Sequence, residues 1–363
     1  MMAALDDARF MMRALALARI HLGTTGSNPS VGCVIVAPDG ETILGEGVTA
    51  RGGRPHAEPQ ALAQAGALAR GATAYVTLEP CSHFGKTPPC ADALVAAGVA
   101  RVVVCLQDPD MRVSGRGLER LRAAGIAVET GLMEAEGRRL LAGYLTRKLL
   151  GRPRVILKLA VSADGLIGRR GEGQVAITGP QSRGAVHRLR AECDAILIGI
   201  GTAAADDPLL NVRLDGLEDR SPLRLVLDRH LTLAPESQLA RTATAIPTCV
   251  VALPHARARK PEAARALEAR GVRIIEAEDL QALLTHLAEE GISTVMVEGG
   301  AAVARAFLDA DLVDRILLFE SDKRIGPVGV DTPLRTHDLA ERFALVQEER
   351  FGLDRARDFE RIR

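Results

Sequence analysis

Pro55-His56-Ala57-Glu58, followed by Glu79-Pro80-Cys81-Ser82-His83-Phe84-Gly85-Lys86-Thr87-Pro88-Pro89-Cys90, decides how the first half of the chain is read. One imidazole, a carboxyl two residues on and two thiols form a zinc-site set. Three protein ligands leave a tetrahedral zinc one open position, which suits catalysis rather than a structural staple. Two thiolates also neutralise the ion, so such a site tolerates a dry pocket. A water in the open position ionises near pH ~7. Glu58 is not a ligand in this scheme. It carries a proton from the water to a leaving amine, as in the nucleobase deaminases.

Taken alone, His-x-Glu arises often by chance, and two cysteines are commonly plain buried residues. Local context decides between these readings. His56 leaves the loop Arg51-Gly52-Gly53-Arg54-Pro55 and opens a helical run, Glu58 to Ala69. Cys81 follows the strand-like run Ala74 to Leu78, and Cys90 opens another helical run to Ala97. All three ligands therefore sit at helix starts beside strands, where side chains can converge. Eight residues separate the two cysteines, and the loop between them carries Lys86. That is wider than the compact Pro-Cys-x-x-Cys form.

Outward from this stretch, strands and helices alternate along the whole chain, which predicts an α/β fold. Met2 to His21 is an amphipathic helix, Val31 to Val36 and Thr42 to Gly47 are strands, and Val102 to Leu106 is a continuous apolar strand. Gln107-Asp108-Pro109-Asp110 ends that strand, where open α/β sheets put their sites. A long helix is expected over Glu134 to Leu149. At 363 residues, two domains are expected. Gly151-Arg152-Pro153 breaks the pattern and marks the boundary, giving domains 1–149 and 150–363. Strands are expected at Arg154 to Val161, Ala195 to Ile200, Leu223 to Asp228, Thr248 to Ala252, Val272 to Glu276, Thr294 to Glu298 and Arg315 to Glu320. The tail from Ala344 reads as two strands turning near Leu353.

The formal net charge is +0, which argues against nucleic acid as the main partner. Six cysteines, two of them in a zinc pattern, point to a reducing compartment. The longest apolar stretch, Ala93 to Leu106, is broken by Arg101 and is too short to span a bilayer. With no signal-peptide pattern, the expected place is the cytoplasm, with no membrane partner.

Two glycine features in the second half compete for a dinucleotide. Gly199-Ile200-Gly201-Thr202-Ala203-Ala204 follows a strand, but Ala205-Asp206-Asp207-Pro208 does not continue it as the long helix a Rossmann site requires. Thr294 to Val297, then Gly299-Gly300, then the helix from Ala301-Ala302 is better placed to offer free N–H groups to a phosphate; a plain tight turn is the alternative. Arg190 and Arg213 suit a phosphate by their fork geometry, or are simply exposed. Lys158 sits in an apolar run and needs a partner or a job.

Together these residues resemble the bifunctional deaminase–reductase of riboflavin biosynthesis. The resemblance covers nearly the whole chain. Gly26-Ser27-Asn28-Pro29-Ser30-Val31-Gly32-Cys33, Pro55-His56-Ala57-Glu58, Thr77-Leu78-Glu79-Pro80-Cys81, Gly85-Lys86-Thr87-Pro88-Pro89-Cys90 and Gly115-Arg116-Gly117 match its deaminase half. Lys158 to Gly165, Ile177-Thr178-Gly179, Asp206-Asp207-Pro208-x-Leu210-x-Val212-Arg213 and Val297-Glu298-Gly299-Gly300 match its reductase half. The resemblance implies a cytidine-deaminase-like three-layer α/β/α domain followed by a dihydrofolate-reductase-like α/β domain, with one Zn2+ and NADPH as cofactors.

It also implies two reactions on one phosphoribosylated pyrimidine: hydrolytic deamination at C2, with Glu58 relaying the proton, then hydride transfer from NADPH to C1′ of the ribose. By match of motif, His56, Cys81 and Cys90 hold zinc, and Asn28, Lys86, Asp108 and Asp110 hold the pyrimidine. In the second half Lys158, Ala160, Thr202, Asp206, Gly299, Gly300, Ala301 and Ala302 line NADPH, while Arg190, Leu210, Arg213 and Glu298 hold the substrate. A homo-oligomer, dimer or tetramer, is expected. Family members often show Asp-Pro-Asn-Pro where this chain has Asp108-Pro109-Asp110-Met111. Gly173 to Thr178 lacks the Ser and Trp of the family's Ser-x-Trp-Ile-Thr. Two other readings stay open: a zinc deaminase of another nucleotide or RNA base with an inactive second domain, and a zinc staple in a binding protein, with a fourth ligand such as His83.

Overall fold

The computed structural model describes residues 2–84, 88–169, 171, 173, 175–334 and 336–362. The chain forms two compact units, Met1–Gly151 and Arg152–Arg363.

The first unit runs α1 (Met2–Ile20), β1 (Gly32–Val36), β2 (Ile43–Val48), α2 (Ala57–Ala65), β3 (Thr73–Val76), α3 (Cys90–Ala97), β4 (Arg101–Val104), α4 (Arg116–Ala123), β5 (Ala127–Thr130), α5 (Glu134–Leu140) and α6 (Ala142–Leu150). Its sheet has the order β2-β1-β3-β4-β5. β1 is antiparallel to β2 and β3, whereas β3, β4 and β5 are parallel. Every residue of β1 is buried, so both faces of the sheet are covered. Apolar residues of α1, α2, α3 and α4 join the strands in one core. α3 ends at Gly98, whose φ of 71° lets the chain turn out of the helix. The helix expected over Glu134 to Leu149 is two helices. Leu141, with φ −92° and ψ 11°, bends the chain while its N–H still bonds Gly137 O at 2.9 Å. Leu141 is buried, and the bend turns it into the core.

The second unit runs β6 (Arg154–Val161), β7 (Leu166–Arg169), α7 (Pro180–Glu192), β8 (Ala195–Gly199), α8 (Ile200–Asp206), β9 (Leu223–Leu227), α9 (Gln238–Arg241), β10 (Thr248–Ala252), α10 (Ala256–Arg259), α11 (Pro261–Glu268), β11 (Arg273–Glu276), α12 (Leu280–Glu289), β12 (Thr294–Val297), α13 (Ala301–Asp309), β13 (Arg315–Glu320), β14 (Gly329–Asp331), α14 (Thr336–Arg342), β15 (Phe343–Phe351) and β16 (Asp354–Arg361). Its main sheet has the order β11-β10-β9-β8-β12-β6-β13-β16-β15. The first seven strands in that order are parallel, and the β15–β16 hairpin is added antiparallel.

Strand periodicity sorts the side chains of this sheet into two cores. Val155, Leu157, Ala195, Leu197, Val295 and Val297 pack with α12 and α13 on one face. Ile156, Ile196, Ile198 and Met296 pack with α7, α9 and α11 on the other. This explains the continuous apolar runs in the sequence, since a strand covered on both faces does not alternate. The small β7–β14 sheet was not expected. All four residues of β7 are half-buried, so it carries no periodic signal.

Candidate active sites

In the first unit the zinc-site residues meet. His56 is the N-cap of α2, and Glu58 lies in that helix's first turn. Cys81 follows β3, and Cys90 is the first residue of α3. The His56 ring Nδ1 lies 3.7 Å from Cys81 Sγ and 3.3 Å from Cys90 Sγ. Zinc–ligand bonds of about 2.0–2.3 Å in a tetrahedron put donor atoms roughly 3.5 Å apart, so this donor set fits the ion. Among the described residues, these three form the one such group whose donor atoms lie within 4.8 Å of one another; His83 is not in it. The Cys90 N–H donates to Cys81 Sγ at 3.3 Å. Hydrogen bonds from the Cys90 thiol and from His56 pull the Cys81 thiol down to about 4, and the same thiol–thiol bond pushes Cys90 up. Glu58 is only 3 % exposed. Burial first, and then the Cys81 charge, push its carboxyl up to about 7.

Around this centre, Asn28 is half-buried and packs on Gly53, where a Cβ would come within 2.2 Å of Asn28 Nδ2. Asp108 is buried and accepts from Tyr144 Oη at 3.0 Å and from the Asp110 N–H at 2.9 Å. Burial raises its pKa. Asp110 accepts from Arg112 at 2.7 Å and from Lys148 Nζ at 2.8 Å, and these cations lower it. Lys86 lies outside the described residues.

In the second unit a half-buried charge cluster sits where β12 ends. Glu298 receives a two-pronged bond from Arg190, at 2.7 and 3.0 Å, and lies 3.7 Å from Lys158 Nζ on β6. Burial alone would raise Glu298, but Arg190 and Lys158 hold it down to about 2. Lys158 is lowered, because burial and Arg190 outweigh its more distant contact with Glu298. Arg190 also donates to Asn211 O at 3.1 Å, which ties the cluster to the loop carrying Leu210 and Arg213. Leu210 is buried, and Arg213 is exposed with a 3.4 Å contact to Asn211 Oδ1.

The glycines at β12 allow close approach. A Cβ on Gly299 would come within 3.2 Å of Gly199 N and 3.1 Å of Val303 Cβ. The Gly300 N–H is already taken by Thr202 Oγ1 at 3.1 Å. The donors left open at the start of α13 are therefore those of Ala301 and Ala302. This suits a dinucleotide phosphate. α8 is seven residues long, so no Rossmann-type helix follows Gly199. Asp206 ends α8, half-buried and raised by burial, and Ala160 is half-buried on β6.

Known proteins with this arrangement share most of the chain. A family model for the cytidine and deoxycytidylate deaminase zinc-binding region matches residues 5–106. One for the RibD C-terminal domain matches residues 153–354. The riboflavin biosynthesis protein RibD of Escherichia coli (strain K12) is 43% identical over 336 residues, 89% of each chain.

The chain belongs to the RibD family of riboflavin biosynthesis proteins.

RibD of Aquifex aeolicus (strain VF5) is 41% identical over 322 residues, 88% of each chain. A solved structure of Acinetobacter baumannii RibD has a TM-score of 0.87 at 36% identity, covering 99% of this chain and 100% of that one. A Thermotoga maritima structure, described as a diaminohydroxyphosphoribosylaminopyrimidine deaminase/5-amino-6-(5-phosphoribosylamino)uracil reductase, has a TM-score of 0.85 at 32% identity. This RibD-family chain is thus a deaminase and reductase of riboflavin biosynthesis, built from a zinc-binding deaminase domain and an NADPH-using reductase domain. No helix among the described residues is long and apolar enough to cross a membrane.

Sequence reasoning gave no role to Glu79, Tyr144, Lys148 or Arg224. Glu79 is buried and accepts from the N–H groups of Asp108, Gly115, Gly117 and Leu118, at 2.9 to 3.4 Å. Its place in the Thr77 to Cys81 motif was the available signal. Gly117 is required there, since a Cβ would come within 2.1 Å of Pro80 O. For Arg224 the available signal was a charge inside the apolar run Leu223 to Leu227; for Lys148 no local pattern carries the information.

Proposed function

We propose that the first unit deaminates 2,5-diamino-6-(5-phosphoribosylamino)pyrimidin-4(3H)-one and that the second reduces the ribosyl group of the product, 5-amino-6-(5-phosphoribosylamino)uracil. The observation that carries this reading is one imidazole and two thiols meeting beside a carboxyl that is 3 % exposed.

His56, Cys81 and Cys90 hold zinc, which when bound supplies an acidified water. Glu58 would hold a proton at its carboxyl and pass it to the departing amine, a role its burial and raised pKa suit. Asn28, Lys86, Asp108 and Asp110 bind the pyrimidine. Asp108 and Asp110 present acceptors whose directions are fixed by Tyr144 and by Arg112 with Lys148.

In the second unit Lys158, Ala160, Thr202, Asp206 and Gly299 to Ala302 line the cofactor, which supplies a hydride when bound. Arg190, Leu210, Arg213 and Glu298 hold the substrate. Arg190 is committed to Glu298 and Asn211, so the exposed Arg213 is the side chain that meets the phosphate. The family resemblance supports a cytoplasmic homo-oligomer, dimer or tetramer, which sedimentation of the purified protein checks.

The test is incubation of zinc-loaded protein with the diamino pyrimidine and NADPH, following ammonia and NADPH oxidation. Both signals are expected. Ammonia alone would remove the second half of the proposal, and the absence of both signals would overturn it whole.

A further inference from the structure

Arg224 on β9 is fully buried, and among the described residues it is the largest side chain so enclosed. Its Nη1 donates to Leu209 O at 3.0 Å and Thr242 Oγ1 at 2.8 Å. Its Nη2 donates to Leu239 O at 3.1 Å, Ile246 O at 2.8 Å and Thr248 Oγ1 at 2.6 Å. Nε has no partner among the described residues, and no carboxylate meets the guanidinium. A buried cation without a counter-ion is expensive, and an apolar residue would fill this core at lower cost. The side chain therefore does something that packing does not.

What it holds is the strained part of a site loop. Asp207 and Leu210 both take left-handed backbone, with φ of 39° and 51°. Neither is glycine, so surrounding contacts must impose the conformation. The Leu209 carbonyl that Arg224 grips lies between them. Gln238 grips the other side: its N–H donates to Asp207 Oδ1 at 2.8 Å, and its amide to Asp207 O. Downstream, the Asn211 carbonyl receives Arg190, and Arg190 is locked to Glu298. The loop is thus pinned at Asp207, Leu209 and Asn211; Leu210 lies between the last two pins, and Arg213 follows two residues after them.

We propose that Arg224 is a positioning residue of the reductase reaction, fixing the Asp207–Arg213 loop so that Leu210 and Arg213 meet the phosphoribosyl substrate. Gln238 is its partner in this role. The inference rests on the reading that this loop holds the reductase substrate.

The experiment uses the full chain, zinc-loaded, with 5-amino-6-(5-phosphoribosylamino)uracil and NADPH. If the parent protein oxidises no NADPH on this substrate, or Arg213→Ala leaves its KM unchanged, the underlying reading fails rather than the inference. With both controls as expected, Arg224→Lys raises the KM for the uracil substrate by about tenfold or more through misplacement of the loop. Its kcat falls less, and ammonia release by the first unit stays at the parent rate. Thr248→Val removes one acceptor of the guanidinium and leaves the Leu209 bond in place; it lowers the melting temperature of the second unit and moves KM much less than Arg224→Lys does. A folded Arg224→Lys protein with parent KM overturns the proposal. If Arg224→Lys does not fold, Gln238→Ala decides: a raised KM supports loop positioning, and a parent KM overturns it.

Discussion

Glu79 in the deaminase unit gathers four backbone N–H groups, two of them in the first turn of α4. Arg224 in the reductase unit gathers three backbone carbonyls, one of them in α9. Each is a buried charge balanced by peptide dipoles rather than by an opposite charge. Each reaches a site loop, at Asp108 in one case and Leu209 in the other. The difference lies in what the two loops serve. The deaminase centre imports its reactive group, and the protein presents donors to it. The reductase centre keeps a cluster of its own charges, Arg190, Glu298 and Lys158, already paired inside the fold. Damage to the first should therefore cost activity with little stability, whereas damage to the second should cost both.

Glu58→Gln breaks the comparison most sharply. Removing the proton carrier lowers ammonia release by about a thousandfold, while zinc content and NADPH oxidation on the supplied uracil substrate stay within twofold of the parent. Stripping zinc with a chelator gives the same loss of ammonia release, and adding zinc back restores it. Loss of NADPH oxidation in the Glu58→Gln protein would show that the two centres are not separable.

Glu298→Gln comes next. It leaves Arg190 and Lys158 as close, largely enclosed cations with no carboxylate between them. The second unit should lose about 3 kcal/mol of stability in denaturant titration, the cost of breaking a buried pair, along with its reductase activity. The pH dependence carries the same sign. Glu298 is held at about 2, below its ordinary 4.5, so its contribution is fully present above pH 4.5 and is lost as pH falls toward 2. Acid titration of the parent should show this loss within that window, worth roughly 3 kcal/mol. The Glu298→Gln protein should show a flatter profile there.

Glu79→Gln is milder. It keeps one acceptor oxygen but turns an amide donor toward backbone N–H groups that already donate. Ammonia release per unit of substrate should fall by about tenfold, read as kcat/KM, with the reductase unaffected. An equal loss in both activities would mean that Glu79 supports folding rather than the Asp108 loop.

These residues also show what the sequence could reveal. The zinc set was legible because its chemistry is local, although only two ligands sit at helix starts: His56 caps α2 and Cys90 begins α3, whereas Cys81 lies in the loop after β3. The buried strands were legible because parallel sheets covered on both faces leave unbroken apolar runs, such as Ala195 to Gly199. The bend at Leu141 was not, because the sequence around it stays helical and only the core draws Leu141 in. The β7–β14 pairing joins Leu166 and Asp331 across a long sequence separation. Arg224 reads from sequence as a charge in an apolar strand; its meaning lies in carbonyls supplied by segments 209, 239 and 246. Tyr144 and Lys148 meet Asp108 and Asp110 from a helix more than thirty residues away.

Asp110→Asn should have the smallest effect. Asp110 is the carboxylate that stands where the resemblance leads one to expect an amide. It is held by Arg112, itself largely exposed, and by Lys148, which is better enclosed. Losing the Arg112 pair matters little, because exposed ion pairs contribute under about 1 kcal/mol. Lys148 loses its charge partner but is exposed enough to recruit water. The Asp110 N–H still caps Asp108, since that bond uses the backbone and survives the substitution. Stability of the first unit should therefore change by less than about 1 kcal/mol. The deaminase KM should shift by less than about fivefold in either direction, because an amide oxygen still accepts where a carboxylate oxygen did. A much larger rise in KM would show that the carboxylate charge at 110, and not merely its acceptor, is what the substrate meets. The deaminase centre would then, like the reductase centre, rely on a fixed charge of its own.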